Sequence, residues 1–399
     1  MSLFDVLIIL LLAAHLLAVN VASAGPFVCL WLAWRTRRRQ DALADSAGEW
    51  LARMSLIGLT SGIVLGGLLL GAVYLHRPEP FLRAAELIPR SRYWFGIGEL
   101  AFSYLLLLVY LLTWRGHAGR WWHALVNLLA ATNTIYHFPL LFAAIGVLTT
   151  RPDLWGKPEF DRSAMRVLFT DPETLARVTH FILASFAVTG VMLLGLAMRR
   201  LRDESAREEA ARLGVWGGWL ALVPTVLQLM SGLWLLMASP SPLQAALTGG
   251  DGWTTTCFGV SLVAVFLLLP CLASSGFGTA QRRDYLRAVI LLTVAILGMT
   301  AARHLAHERM YDRFASGVTR LVLQVKSGQR APGAGAAVRM SPHRSRWGIA
   351  AAGNPIHRGP SARDVDGRAF FAAAPGTHPD FLRNAQLEDS RIGLMSSSH

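Results

Sequence analysis

Four histidines of this sequence lie inside or at the ends of long apolar stretches, where an ionisable side chain is costly. His15, His137 and His180 lie within such stretches, and His304 lies at the end of one. Ionisable residues in the hydrocarbon part of a membrane are rare and mark functional sites by default. A neutral imidazole ligates a metal through one ring nitrogen while the other nitrogen donates a hydrogen bond. The four residues are therefore candidate metal ligands.

Haem b is the cofactor that these histidines favour, because neutral imidazole is a usual axial ligand of haem iron. At 1.5 Å per residue, His15 lies about 17 Å, His137 about 18 Å and His180 about 10 Å from the outer membrane surface. All four candidates fall in the outer half of the membrane or near its middle. Small residues leave room for a flat ring next to them: Ala184, Ser185, Ala187 and Gly190 on the span of His180, and Gly62, Gly66 and Gly67 on the second span.

Each histidine also has a purely structural interpretation. A lone histidine in a membrane helix can simply hydrogen-bond a carbonyl or hydroxyl of a neighbouring helix. His137 precedes Pro139 and can satisfy the carbonyl that the proline frees. His304 and His307 fit an interfacial helix end, and His117 and His123 are expected to be solvated at the opposite membrane surface.

Glu99 is a carboxylate that lies early within a predicted span, in the sequence Gly98-Glu99-Leu100. A membrane glutamate can relay protons, can lie beside a haem propionate, or can anchor a helix end. Its position makes it a candidate for a proton path, and the sequence leaves the other two roles open.

The elements that position these residues are membrane spans. A span needs about 20 apolar residues, and the chain is 53% hydrophobic and 16% charged. We predict an all-α integral membrane protein, a polytopic bundle of about eight helices in residues 1–310. The predicted spans are about 3–34, 55–75, 94–114, 122–149, 174–198, 214–238, 253–273 and 285–305. We further predict an interfacial helix at 311–326 and a disordered basic tail at 327–399, rich in Gly, Pro, Ala, Ser and Arg.

The loop charges predict the orientation. The loops 35–54, 115–121, 199–213 and 274–284 together carry 14 Arg and Lys, against eight in the loops of the other side. Positive loops stay in the cytoplasm, so the N-terminus is predicted outside a multi-pass protein of the inner (plasma) membrane.

The composition also limits which partners and which kinds of metal site are expected. The net charge of +13 comes from arginines beside the spans, so lipid headgroups rather than nucleic acid are the expected partners. The three cysteines are isolated, without CxxC or CxxCH, which argues against covalent haem attachment and against a structural zinc site.

Residues 177–192, which read RVTHFILASFAVTGVM, resemble the fifth helix of subunit I of cytochrome bd quinol oxidases. The resemblance covers roughly residues 1–310. It implies that His180 ligates a low-spin haem b, that His15 is the ligand on the high-spin, oxygen-binding side, and that Glu99 belongs to a proton path. Asn133 lies near an asparagine of that family, and an external N-terminus agrees with it.

The sequence also departs from that family. The link at 239–252 is too short for the family's quinol-binding loop, and no methionine stands at 256–262 as the sixth haem ligand. Leu107 replaces a second carboxylate, the Gly-Arg-Gln-Pro-Trp signature is absent with Arg303-His304 near its place, and a ninth apolar helix is missing. The resemblance thus implies a short subunit with one or two b haems and no quinol site of its own, in which His137 or His304 replaces the methionine.

Three functions follow from these observations. The first is a haem b electron-transfer subunit, a component of a respiratory oxidoreductase, working with a second membrane subunit or a redox partner protein. The second is a divergent terminal oxidase subunit. The third is a cofactor-free transporter or scaffold, although no matched pair of broken helices in the two halves supports a transporter.

Overall fold

The computed structural model describes the backbone of residues 1–326 and the side chains up to residue 312. The described part is helical without any strand, and eight of its helices are long and apolar enough to cross a membrane. We number them α1 (Leu3–Arg39), α2 (Ala42–His76), α3 (Arg90–Leu112), α4 (Trp121–Leu148), α5 (Pro172–Arg200), α6 (Arg207–Ala238), α7 (Gly252–Gly276) and α8 (Arg282–Lys326). The prediction of an all-α membrane bundle with about eight spans is confirmed.

Short helical elements connect some of these spans. They are the helices Glu79–Glu86, Trp114–His117, Arg162–Phe169 and Ser241–Ala245, the 3₁₀ turns Pro152–Leu154 and Glu204–Ala206, and a π turn at Ala246–Gly250. The predicted loop 35–54 is wrong, because α1 continues to Arg39 and α2 already begins at Ala42. Gln40 makes the reversal in the left-handed region, and Asp41 caps α2 by accepting from the Ala44 N–H.

Two predictions concern the C-terminal part of the chain. Residues 311–326 continue α8 without a break, and their position at a membrane interface stays a prediction. The predicted disordered tail, residues 327–399, lies outside the described residues.

The eight helices form two rings of four. In the first ring α1 packs on α2 and α4, and α3 packs on α2 and α4; α5 to α8 repeat this arrangement. Helix α1 contacts α5 and α8, and α4 contacts α5, which joins the two rings. Because the spans alternate in direction, the starts of α1, α3, α5 and α7 lie at the same end as the last turns of α2, α4, α6 and α8. We call this the N-terminal end of the bundle.

Helices α5 and α6 approach each other through small residues. A Cβ on Gly190 would lie 2.5 Å from Ala221 N and 2.7 Å from Gly217 O, and a Cβ on Gly217 would lie 2.7 Å from Gly190 O. Membrane helices associate through such small residues because their backbones can then pack closely.

An ion-pair cluster ties three helices together at the opposite end of the bundle. Asp41 lies 2.9 Å from Arg35 of α1 and 2.7 Å from Arg212 of α6. Both guanidinium groups lie over the Trp216 ring, at 4.7 and 5.5 Å from its centroid. Partial burial alone would raise the pKa of Asp41, but the hydrogen bond from Arg35 and the charges of the two arginines outweigh it and lower that pKa below its usual value.

We expect Asp41→Asn to lower the thermal unfolding temperature of the purified protein by about 5 °C at pH 7, since two arginines lose their counter-charge. A carboxyl with a lowered folded-state pKa stabilises above its unfolded pKa, and this contribution is lost as the pH falls through the folded-state pKa. The deficit of the variant should therefore shrink below about pH 4. The exposed Asp153 gives the control Asp153→Asn, and an equal temperature shift in both variants would contradict the account.

Candidate functional site

His180 lies on α5 about 12 Å from the start of that helix at the N-terminal end. Its Nδ1 is 3.1 Å from Ser231 Oγ on α6, and the Ser231 hydroxyl in turn donates to Gln228 O. Ser231 Oγ is therefore free to accept from Nδ1–H, which leaves the lone pair on Nε2. A Cβ on Gly232 would lie 3.5 Å from His180 Cε1, so a glycine borders the imidazole.

His15 repeats this arrangement in the first ring. It lies on α1 about 18 Å from the N-terminal end, and its Nδ1 is 2.9 Å from Gly62 O on α2. A carbonyl can only accept, so Nδ1 carries the proton and Nε2 carries the lone pair. A Cβ on Gly66 would lie 3.0 Å from His15 Cε1. Among the described residues, neither Nε2 of His15 nor Nε2 of His180 takes part in a hydrogen bond.

The imidazoles of His15 and His180 belong to two separate candidate ligand sites. Five residues after each of them, Ser185 of α5 donates to Asn20 Oδ1 of α1 at 2.9 Å, where the two rings of helices meet. Residues five apart on an α-helix are rotated by about 140°. His15 and His180 therefore point away from the contact between the rings, each toward the second helix of its own ring. Each can ligate a metal, haem iron included, through Nε2.

A basic cluster lies at the N-terminal end, one turn before His180. Arg177 contacts Glu173 at 2.6 Å, and Arg151 contacts the same carboxylate at 3.3 Å. Arg303 of α8 makes no ion pair among the residues whose side chains are described, although its Nη2 and Arg177 Nη1 both lie within 3.5 Å of a Cβ placed on Gly146. The guanidinium groups of Arg177 and Arg303 therefore lie close together. Two carboxylates pair with the cluster, because Arg151 also lies 3.8 Å from Asp171.

Several donors of this cluster have no partner. Among the residues whose side chains are described, the buried Nε atoms of Arg151 and Arg177 and the buried Nε2 of His307 make no hydrogen bond. Buried polar groups are normally paired, so the two unpaired guanidinium donors suit an anionic group of a ligand.

Glu99 of α3 and His137 of α4 meet in the first ring. His137 Nδ1 is 2.6 Å from Glu99 Oε1 and 2.6 Å from Asn133 Oδ1, and Asn133 Nδ2 donates to Glu99 O and Ser103 Oγ. His137 thus pairs with side chains and not with a carbonyl freed by Pro139. The pair borders a cleft of about 670 Å³ whose other lining is mostly apolar, including Phe95, Phe102, Leu129 and Tyr136. The carboxylate and the imidazole can share one proton between Oε1 and Nδ1.

Comparison with known proteins gives a fold relationship. No family model matches the chain, and no curated protein matches it. Among solved structures, the chain is similar to one of the bd oxidase from Geobacillus thermodenitrificans, with a TM-score of 0.58 and 16% sequence identity over 76% of this chain and 86% of that chain. The fold resembles that of a bd oxidase chain. The bd-like resemblance of the sequence is thus supported at the level of the fold.

The bd-oxidase-like fold places the predicted site residues as follows. Glu99 and His137 are brought together, whereas His15 and His180 lie in different rings. His304 points its Nε2 at Asp5 Oδ1 at 3.0 Å, so this nitrogen is already engaged. Its role as a haem ligand, like those of the other three histidines, stays a prediction. His123 corrects one expectation: it is fully buried, stacked on Tyr110 and bonded to its carbonyl at 3.0 Å.

Sequence reasoning missed Arg177 and Arg303, and also the acidic partners of His304. The signal for Arg177 was available, because an arginine one turn before a ligand candidate shares its helix face. Asp5 lies in the first turn of α1 and His304 lies near the end of the predicted eighth span, 285–305, so alternating spans place both at the same end of the bundle.

Proposed function

We propose that this chain is a haem b-binding electron-transfer subunit of a membrane oxidase similar to bd oxidase. The observation that carries the proposal is the state of the His180 imidazole. Ser231 holds its Nδ1–H, so the Nε2 lone pair is available within the α5–α6 hairpin. Ligating histidines usually have this second hydrogen bond, which fixes the tautomer and the ring orientation.

His15 would hold a second haem b, since Gly62 O fixes its tautomer in the same way. The two Nε2 atoms point into different rings, which favours one haem in each over a single haem between both histidines. A bound haem supplies reversible one-electron transfer at its iron. The chain's own residues would orient the imidazoles, exclude water with apolar helices and supply the charges around the two proposed haem sites.

The basic cluster of Arg151, Arg177 and Arg303 would hold haem propionates. Arg177 lies one turn from His180, Arg303 has no ion pair among the described side chains, and two guanidinium Nε atoms lack partners. A carboxylate of a ligand would satisfy these donors with charge-assisted hydrogen bonds. The residues present therefore fit the cofactor on two independent grounds, the imidazole nitrogens and the cationic donors.

Glu99 and His137 would hold the proton that accompanies an electron in the apolar interior. Their Oε1 and Nδ1 atoms lie 2.6 Å apart and can share one proton, and Asn133 contacts His137 Nδ1 through Oδ1 and the Glu99 backbone carbonyl through Nδ2. The remaining Oε2 of Glu99 is buried without a partner and so can take up a proton.

The partners that fit this proposal are the lipid bilayer and a second membrane subunit or redox partner protein. Large apolar side chains of α2 and α3, such as Val64, Leu68, Phe95 and Ile97, are exposed on the outside of the bundle. The proposed location is the inner (plasma) membrane with the N-terminus outside. The short connection between α6 and α7 supports the view that the chain has no quinol site of its own.

The haem content of the purified protein tests the proposal. Protein expressed with ample haem should contain one or two b haems per chain, measured as the pyridine haemochrome. Oxygen consumption with a reduced cytochrome or a quinol would instead favour the divergent terminal oxidase. A protein that folds and retains no haem would support the cofactor-free transporter or scaffold.

We expect Arg303→Leu to lower the reduction potential of the haem at His180 by tens of millivolts, because a nearby positive charge stabilises the reduced state. Potentiometric titration of the purified protein measures this change. The exposed Arg166 at the same end provides the control Arg166→Leu, which should leave the potential in place. An unchanged potential in Arg303→Leu would remove this arginine from the proposed propionate site.

A further inference from the structure

A second group of metal-ligating side chains lies at the N-terminal end, outside the residues discussed so far. Asp5 begins α1, His76 ends α2, and His304 and Glu308 lie one turn apart on α8. His304 Nε2 is 3.0 Å and His76 Nε2 is 3.3 Å from the same oxygen, Asp5 Oδ1. One ligand atom each of Asp5, His76 and Glu308 lies within 4.8 Å of the others.

Two spacings in this group match those of a metal site, and they join His76 Nε2 and His304 Nε2 to Asp5 Oδ1. The mutual 4.8 Å limit is met by the atoms of Asp5, His76 and Glu308, and His304 stands outside that set. In a tetrahedral site with bonds of about 2.0–2.1 Å, neighbouring ligand atoms lie about 3.3 Å apart. The two imidazole nitrogens already keep this distance from the Asp5 oxygen. His304 and Glu308 stand four residues apart, so they share one face of α8.

The surroundings orient the ligands as an outer shell does. The backbone N–H of Ser2 donates to Asp5 Oδ2, which leaves Oδ1 directed at the histidines. The Phe4 ring stacks on His76 at a centroid distance of 5.7 Å, and Arg77 pairs with Glu308 at 2.9 Å. Groups that hold ligands in orientation are a regular part of metal sites.

Charge and access also suit a cation. Asp5 and Glu308 bring two negative charges, and Arg77 is shared between Glu308 and Asp312. The side chains of Asp5, His76, His304 and Glu308 are 10–22% exposed, so an ion can reach them from the water at the bundle end. Two imidazoles with two carboxylates favour a divalent first-row transition metal over Mg²⁺ or Ca²⁺, which prefer oxygen ligands alone.

We propose that Asp5, His76 and Glu308 bind one divalent transition metal ion, with Zn²⁺ as the simplest case, that His304 turns from Asp5 to complete the site as a fourth ligand, and that this ion clasps α1, α2 and α8 together. The competing interpretation is a clasp of ion pairs and hydrogen bonds without a metal. The site is independent of the proposed haem function, because His15 and His180 take no part in it.

Equilibrium dialysis of the full chain, purified without an oligohistidine tag, against Zn²⁺ tests the site. We expect one Zn²⁺ per chain that excess Mg²⁺ does not displace. His76→Gln and Glu308→Gln should each weaken the binding at least about tenfold, since even outer-shell changes cost that much. The controls are His117→Gln at the opposite end and the exposed Asp153→Asn at the same end, which should bind as the wild type does. Unchanged haem content in His76→Gln keeps this result separate from the haem proposal.

X-ray absorption of the Zn²⁺-loaded wild type gives a result that does not depend on variant folding. The proposal predicts two imidazole nitrogens and carboxylate oxygens at about 2.0–2.2 Å. Absence of saturable Zn²⁺ binding, equal affinity in His76→Gln, Glu308→Gln and the controls, or a spectrum without imidazole would overturn it in favour of the metal-free clasp.

Discussion

His180→Ala is expected to abolish the low-spin haem signal while the protein still assembles as a membrane bundle. The imidazole is an axial ligand that the proposal assigns to that iron, and alanine offers no ligand atom. Ser231 and Gly232 on α6 would be unchanged, so the substitution leaves an empty space beside them where the imidazole was. The measurement is the reduced-minus-oxidised spectrum of the purified variant at equal protein concentration.

Three comparisons sharpen this prediction. His117→Ala removes a histidine at the opposite end and should leave the spectrum as it is in the wild type. His15→Ala should remove a second haem and spare the low-spin signal, because the two imidazoles face different rings. Added imidazole should restore part of the signal in His180→Ala by entering the vacated space. A low-spin signal that persists in His180→Ala would refute the ligand assignment.

Gly190→Ala has the largest expected effect on the fold itself. The new methyl group would lie 2.5 Å from Ala221 N and 2.7 Å from Gly217 O, and these are backbone atoms that cannot rotate away. Overpacking of this kind costs about 1–3 kcal/mol and at times more. We therefore expect the thermal unfolding temperature to fall by several degrees, measured as the loss of monodisperse protein in detergent.

Gly195 on the same helix is the matched control. A Cβ there would meet nothing within 4 Å, so Gly195→Ala should keep or slightly raise the unfolding temperature through helix propensity. Equal temperatures for Gly190→Ala and Gly195→Ala would show that the α5–α6 contact is not close. Because Ser231 holds His180 across the same helix pair, Gly190→Ala should also reduce haem retention.

The eight spans could be predicted from the sequence because hydropathy records the length of apolar chain directly. The helix ends could not, since α2 begins at Ala42 among polar and small residues such as Asp45, Ser46 and Glu49 that lie outside any apolar stretch. The cap by Asp41 and its arginine pairs stabilise this start, and the pair with Arg212 joins residues far apart in the chain.

The candidate site was predictable where one residue type carries the signal. A histidine or glutamate within a membrane span stands out because placing an ionisable side chain there costs free energy. This singled out His15, His180, His137 and Glu99. Side-chain contacts between helices were harder to predict from the sequence. The Glu99–His137 contact requires α3 and α4 to be neighbours, and the Asp5–His304 contact joins the first span to the last. The burial of His123 depends on Tyr110 of another helix and has no local signal.

The reduced-minus-oxidised difference spectrum of the wild-type chain, expressed with ample haem and purified in detergent, tests the central claim most directly. The proposed function predicts the Soret and α bands of haem b, with one or two haems per chain. A well-folded, monodisperse protein that shows no such bands would contradict a haem-binding role and leave the imidazoles of His15 and His180 as contacts between helices.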